Sequence, residues 1–450
     1  MGLTPGAGAG AMGRAAEPGE SGLGDGYFPT SGNGGYDVGN YKVDLKFTPE
    51  GHQVEATVEV KAKAERELSS FNLDYRGPKI TRVTVDGQAA EYERKGRELV
   101  VTPAAPIAEG AAFETAVSYT GTPPTLTNPG LGSYGWSRSK DGALVTAQPD
   151  GASAWLPSND HPSDKATFDF AITVPAKLRA YANGEPGRPV TENGLTTYHW
   201  HERSPMATYL ATIAIGKFVE RRSRAGKVEV ITAVDPKYRK SLKRVHDTTV
   251  KTMRWQQKLF GPYPFSTTGA IVDDPQLGYA LETQSRPVYG GFVPDEAFIV
   301  HEIAHQWFGN SVSLRRWEDI WLNEGFATYV EWLWKERHNR HESTRKIFNR
   351  YYRQSGNSPA LSPVPGRPGR KEMFGFSVYI RGAMTLEALR RKIGDRAFFR
   401  TLRTWAVENK DGYGDTEKFI ALAEKTSGKQ LDRLFKVWLY QKGKPAKNSW

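Results

Sequence analysis

The residues best equipped for chemistry stand in one stretch, Val300-His301-Glu302-Ile303-Ala304-His305. On a helix, side chains four apart share a face, so His301 and His305 can hold one metal ion between them. Glu302 is rotated by about 100° from His301 and can reach a water on that ion without being a ligand. Two imidazoles with a neighbouring carboxylate form the zinc-and-general-base pattern of metal-assisted hydrolysis. A catalytic zinc takes three protein ligands and keeps one position open. The third must come from another element. Glu324 is the candidate, separated from His305 by the 18 residues 306–323.

The spacing predicts the elements that place these side chains. Asp295 is suited to cap the start of the zinc helix, and Gly309-Asn310 to stop it. Residues 311–316 can turn the chain, and 320–338 reads as a second helix running back beside the first. Glu318 and Asp319 precede Glu324. Either can accept the second ring N–H of a zinc-bound histidine, and the shorter Asp319 is the preferred partner. For the motif alone, a buried helix with two hydrogen-bonded histidines is the plainer reading.

The wider chain frames this site. Its 450 residues exceed one ordinary core, and 38% hydrophobic with 25% charged residues is a globular composition. There is no cysteine, which excludes disulfides and thiolate metal sites. The net charge is +11, but the 61 basic residues are spread along the chain without a nucleic-acid motif, so a solvated basic surface is expected. No segment is apolar enough to span a bilayer. The Gly/Ala-rich residues 1–26 are expected to be a disordered leader. Secretion after loss of a signal is preferred as a reading over a cytosolic location.

From about residue 27 to 220, period-two patterns predict an antiparallel all-β domain. Examples are Tyr41, Val43, Leu45 and Phe47, and Phe168, Phe170, Ile172 and Val174. Further strands are expected at 196–200 and 207–215. His199 and His201 share one face of the first of these. They could hold a metal, although two exposed side chains are the simpler reading. Residues 221–450 change character. A strand at 228–234 leads to a helix at 238–260, and the remainder is mostly helical. Residues 361–370 form a Pro/Gly-rich, mobile loop.

Taken together, these motifs resemble the gluzincin aminopeptidases of the aminopeptidase N and leukotriene A4 hydrolase group. The zinc motif with Glu324 in Trp-Leu-Asn-Glu-Gly-Phe-Ala carries the likeness first. Tyr279-Ala280-Leu281-Glu282-Thr283 stands where that family has its Gly-Ala-Met-Glu-Asn exopeptidase motif. Tyr379-Ile380-Arg381-Gly382-Ala383 is similar to its Tyr-x-Lys-Gly-Ala segment. Phe260-Gly261-Pro262-Tyr263-Pro264-Phe265 and residues 157–168 add to it.

The resemblance implies a β saddle domain followed by a thermolysin-like α+β, mainly helical catalytic domain holding one zinc ion. It implies substrates that are peptides with a free N-terminus, from which single residues are released. Glu302 would be the general base and Tyr379 the oxyanion donor. Glu282 would anchor the free ammonium by a charge-assisted hydrogen bond, with Gln148, Ala280 and Tyr279 beside it. The chain stops about where the family's catalytic domain ends, so a short form without the helical closing domain is expected. Tyr279, Thr283 and Arg381 depart from the family pattern. Because Tyr279 and Gln148 alter the amine pocket, an endopeptidase is an alternative; a zinc-containing peptide-binding protein is another. Oligomeric state and the preferred first residue are not legible.

Overall fold

Alternating apolar residues build the N-terminal part. Along Tyr36–Thr48 they put Tyr41, Val43, Leu45 and Phe47 on a buried face, with charged residues opposite. A computed structural model describes residues 16–128, 132–339 and 341–446. In it this strand is the middle of a nine-stranded sheet. Gln53–Ala64 pairs with it antiparallel, followed outward by Ala112–Gly121 and Lys79–Val85. On its other side Lys165–Pro175 runs parallel to it, and Leu195–Ala207 pairs antiparallel beyond. The parallel pair departs from the all-antiparallel expectation. Its strands lie far apart in sequence, and only neighbours joined by a hairpin must run antiparallel.

A second sheet orders Thr125–Asn128, Gly132–Arg138, Ala143–Thr146, Ile213–Gly216 and Arg179–Ala182. A third, mixed sheet comprises Val219–Ala225, Val228–Val234, Thr267–Asp273, Val288–Gly290 and the edge strand Ala280–Leu281. Among the described residues, eight α-helices follow or flank it: α1 (Leu242–Phe260), α2 (Glu296–His305), α3 (Trp321–His338), α4 (Thr344–Tyr352), α5 (Phe376–Ile393), α6 (Asp395–Glu408), α7 (Thr416–Ser427) and the one-turn α8 (Asp432–Phe435). A β-rich domain thus precedes a helical one. Among the described residues, no helix is long and apolar enough to cross a membrane.

Several expectations are corrected. Residues 1–15 of the expected leader lie outside the described residues, but 16–26 are not disordered. Glu17–Pro18 pairs with Leu68–Asp74. Asp25 is buried and accepts hydrogen bonds from the backbone N–H groups of Tyr27 (2.7 Å), Phe28 (3.0 Å) and Trp317 (2.8 Å). A capping carboxylate, invisible to a composition argument, orders this segment. The strand expected at 207–215 is interrupted by a 3-10 turn, Thr208–Leu210. The helix expected at 238–260 opens with a 3-10 turn, Pro236–Ser241, capped by Asp235. Among the described residues no metal-binding cluster includes His199 or His201, and His201 pairs with Asp169 at 2.6 Å.

The loop at 361–370 is held from both sides. The buried guanidinium of Arg381 donates to the carbonyls of Leu361 (2.5 Å), Val437 (3.0 Å) and Trp438 (2.8 Å), and the Gly366 N–H donates to Leu439 O at 3.0 Å. The planar fork of arginine reaches several carbonyls at once, which a lysine at this position could not.

The helices α3 and α5 meet at two glycines. A Cβ built on Gly382 would lie 2.9 Å from the Gly325 Cα, and one on Gly325 would lie 2.9 Å from the Gly382 backbone. This close approach sits one residue after Glu324 and three after Tyr379. It is therefore what lets the two helices offer those side chains to one space. Gly382→Val is expected to force the helices apart and cost about 1–3 kcal/mol, read as a lower urea midpoint. An unchanged midpoint would show that the contact yields freely.

Candidate active site and metal centre

The first turn of α2 is capped by Asp295, whose carboxylate accepts the Phe298 N–H at 3.0 Å, as the sequence suggests. Two turns on, His301 and His305 project from one face with ring centroids 4.7 Å apart. The chain then turns through 306–320 and returns as α3, which delivers Glu324. Its Oε2 lies 3.3 Å from His301 Nε2 and 3.4 Å from His305 Nε2. Tetrahedral zinc with bonds of about 2.0–2.1 Å requires its ligand atoms to sit about 3.3 Å apart. Both glutamate–histidine distances match this, and all three donor atoms lie within 4.8 Å of one another, close enough to share one ion.

The other ring nitrogens fix the tautomers. His301 Nδ1–H donates to Glu331 Oε1 at 2.7 Å and His305 Nδ1–H to Phe308 O at 3.1 Å. With Nδ1 of each ring engaged in this way, Nε2 is the nitrogen that faces Glu324 and would bind a metal on losing its proton. Glu331, not Asp319, is the carboxylate behind the histidine. Asp319 instead accepts from the Thr416 hydroxyl (2.5 Å) and backbone N–H (3.2 Å), pinning the start of α7. Glu318 faces Arg316 and Arg367 on the surface. Glu331 lies seven residues after Glu324 on the same helix, hence on the same face. That spacing was the available signal.

The remaining named residues gather around the triad. A carboxylate oxygen of Glu302, one of Glu282 and a ring nitrogen of His305 lie within 4.8 Å of one another. Tyr379 on α5 lies near-parallel to the His301 ring, with centroids 6.1 Å apart. Gln148, from the loop after Ala143–Thr146, donates its amide N–H to Glu282 Oε1 at 3.0 Å. The Glu282 carbonyl is held by Asn310 Nδ2 (2.7 Å) and Gln306 Nε2 (3.2 Å). The turn carrying Asn310 is itself held by Lys165, whose ammonium donates to Asn310 O and Ser311 O, both at 2.9 Å. Sequence reasoning missed these three positioning residues, because contacts 24 to 146 residues apart leave no local pattern. Tyr279 is clamped through its hydroxyl, which donates to Ser133 O at 2.7 Å and lies 2.9 Å from Thr146 Oγ1. Together they enclose a cavity of about 320 Å³ that Ala280, Leu281, Ala297 and Phe298 also line.

Its electrostatics follow from crowding. Burial pushes the Glu302 carboxyl up to about 7, and burial likewise raises Glu282. Burial also works against charge on His305, but Glu324 and Glu282 prevail and lift it to about 9. Burial, followed by the nearby Glu324, holds the Tyr379 phenol well above its usual range, so it stays a hydrogen-bond donor.

Comparison with known proteins agrees with this geometry. Residues 38–210 match the Peptidase M1 N-terminal domain and residues 295–438 the Peptidase family M1 domain. The chain belongs to peptidase family M1. An M1 zinc metallopeptidase from Deinococcus radiodurans superposes with a TM-score of 0.86 at 30% identity, covering 94% of this chain and 99% of that one. A variant of that enzyme bound to a Tyr-Ser-Ala substrate gives 0.83 at 29% identity, with 94% and 100% covered. The leucyl aminopeptidase of Saccharolobus solfataricus is 25% identical over 91% of this chain and 54% of its own length. Aminopeptidase M1 of Arabidopsis thaliana is 29% identical over 68% of this chain and 37% of its own. The chain thus spans about half, or less, of the length of these aminopeptidases.

If Glu331 orients a metal ligand in this family member, Glu331→Gln lowers divalent-metal affinity about 10–100-fold, whereas Asp319→Asn does not. Competition against a chelator measures both, and equal affinities for wild type and Glu331→Gln would refute the assignment.

Proposed function

We propose that the chain is a zinc aminopeptidase that hydrolyses the first peptide bond of peptides with a free N-terminus. The observation that carries this reading is Glu282. Its buried carboxylate stands within 4.8 Å of the general-base candidate and of one metal-ligand histidine. A carboxylate so placed stops a bound chain from extending past it, and an ammonium is what it satisfies. That limits the substrate to one residue on the amine side of the cut.

His301, His305 and Glu324 would hold zinc, which when bound supplies Lewis acidity and acidifies a water. Glu302 takes the proton from the attacking water at its carboxylate and returns it to the leaving amine. Tyr379 donates its phenolic O–H to the oxyanion that develops on the carbonyl oxygen. Such donors are worth about 10²–10³ in rate. Glu282 accepts hydrogen bonds from the substrate ammonium. Gln148 occupies one Glu282 oxygen and so turns the other toward that ammonium. Ala280 lies on the edge strand, whose free backbone groups can pair with an extended peptide. The clamped Tyr279 ring walls the first subsite and narrows it.

The decisive experiment treats one peptide in free and N-acetylated forms, with and without a zinc chelator, and follows products by mass spectrometry. Stepwise loss of residues from the free form alone, stopped by chelation, is expected. Internal cleavage of both forms would overturn the reading. Glu302→Gln should keep its zinc, measured by metal analysis, and lose turnover by at least about 10²-fold. Undiminished turnover would remove it as the base. Glu282→Ala should raise KM for free-amine peptides much more than it changes KM for a blocked ester or amide. An equal effect on both would argue against an ammonium anchor.

A further inference from the structure

Beyond the catalytic cavity, several basic side chains line a groove of about 590 Å³ between α1 and the C-terminal end of α3. Lys251, Arg254 and Lys258 lie on one face of α1, three and four residues apart. Arg221 and Arg224 join them from the strand Val219–Ala225, and Arg337 from α3. All six are exposed. Lys251 pairs with Glu296 at 3.0 Å. Among the described residues, none of the other five has a carboxylate within 4.0 Å. Asp247 also lines the groove but pairs with Lys243 at 2.5 Å, so with Lys251 matched by Glu296 the remaining cations still leave the groove a net positive field.

The floor narrows what can fill it. Trp334 is buried, Lys251 sits over its ring at 4.8 Å, and the His338 ring packs on it at 3.9 Å. Trp255 meets Trp334 edge-on at 4.9 Å. Trp334 therefore offers no free ring face on which a base could stack, the main device of single-strand nucleic-acid binding. An occupant carrying carboxylates fits the charge without needing one.

The groove adjoins the cleft: Asp295 and Ala297 line the catalytic cavity, and Glu296 between them pairs with Lys251 of the groove at 3.0 Å. Ala280 pairs with Tyr289, whose ring meets Phe292 at 6.2 Å, and Phe292 meets Phe298 at 5.2 Å. These ring contacts pack the edge strand against the first turn of α2, and Tyr289 among them is buried. Two residues before Phe298, Glu296 holds Lys251 of the groove. Along α3, Arg337 lies thirteen residues beyond Glu324, a rise of about 20 Å. An extended peptide covers that distance in about six residues.

We propose that this groove docks an acidic stretch of the peptide substrate, about six residues to the C-terminal side of the bond cleaved. The proposal rests on the peptide-hydrolase reading above. Charge pairs at an exposed rim act through affinity and encounter and are screened by salt, so the effect belongs in KM and weakens as salt rises.

The test uses two twelve-residue peptides with identical first four residues, one with a Glu/Asp-rich tail and one with a Ser/Gly tail, and a tripeptide of the same beginning. Release of the first residue is measured at about 50 mM and about 500 mM salt. The acidic tail is expected to lower KM roughly tenfold at low salt only. In Arg254→Ser/Arg337→Ser, that advantage should vanish while tripeptide kinetics stay as in the wild type. Equal KM for both tails, or an advantage that survives the double substitution, would overturn the proposal. So would a single-stranded oligonucleotide displacing the acidic peptide at lower concentration than a second acidic peptide does. A wild-type protein that leaves the tripeptide intact would instead remove the reading beneath the proposal.

Discussion

Four carboxylates, of Glu282, Glu302, Glu324 and Glu331, crowd two imidazoles where little water reaches; the first three are buried and the fourth is partly so. A buried charge without a partner costs several kcal/mol. The shared ligand geometry of His301, His305 and Glu324 offers one place where a divalent cation satisfies that excess of negative charge. Much of the helical domain serves to hold these like charges together. The cap at Asp295, the glycine contact between α3 and α5, and the anchoring of α7 by Asp319 each fix one side of the cluster.

The β-rich domain is more than a partner in packing. Gln148 reaches Glu282 across the cleft, and Lys165 secures the turn whose Asn310 carries the Glu282 carbonyl. Asp25, near the start of the described chain, holds Trp317 in the turn that feeds α3. The position of the Glu282 carboxylate therefore depends on both domains at once. A change in the β sheet can reach the chemistry through hydrogen bonds alone.

The molecule separates its charges. The cleft is acidic and suits an ammonium; the groove beyond α2 is basic and suits carboxylates. At physiological salt the Debye length is about 8 Å, so sites about 20 Å apart act as separate fields.

What was legible in the sequence was local. The four-residue spacing of the histidines, the adjacent Glu302 and the capping Asp295 follow from helix geometry, and the β strands follow from alternation. Glu324 was within reach because a helix stop and a returning helix could be read between it and His305. The Tyr379 and Glu282 assignments came from resemblance to a family, since nothing in their own neighbourhoods marks them. Tertiary structure alone decided the rest. It chose Glu331 over Asp319 behind His301, ordered residues 16–26 through Asp25, and tied down the loop at 361–370 through Arg381. It also collected six basic residues, scattered over more than a hundred positions, into one groove. The physical reason is the same in each case. Periodicity reports which face of an element a side chain occupies, but partners far apart in sequence are set by how elements pack, and no local pattern carries that information.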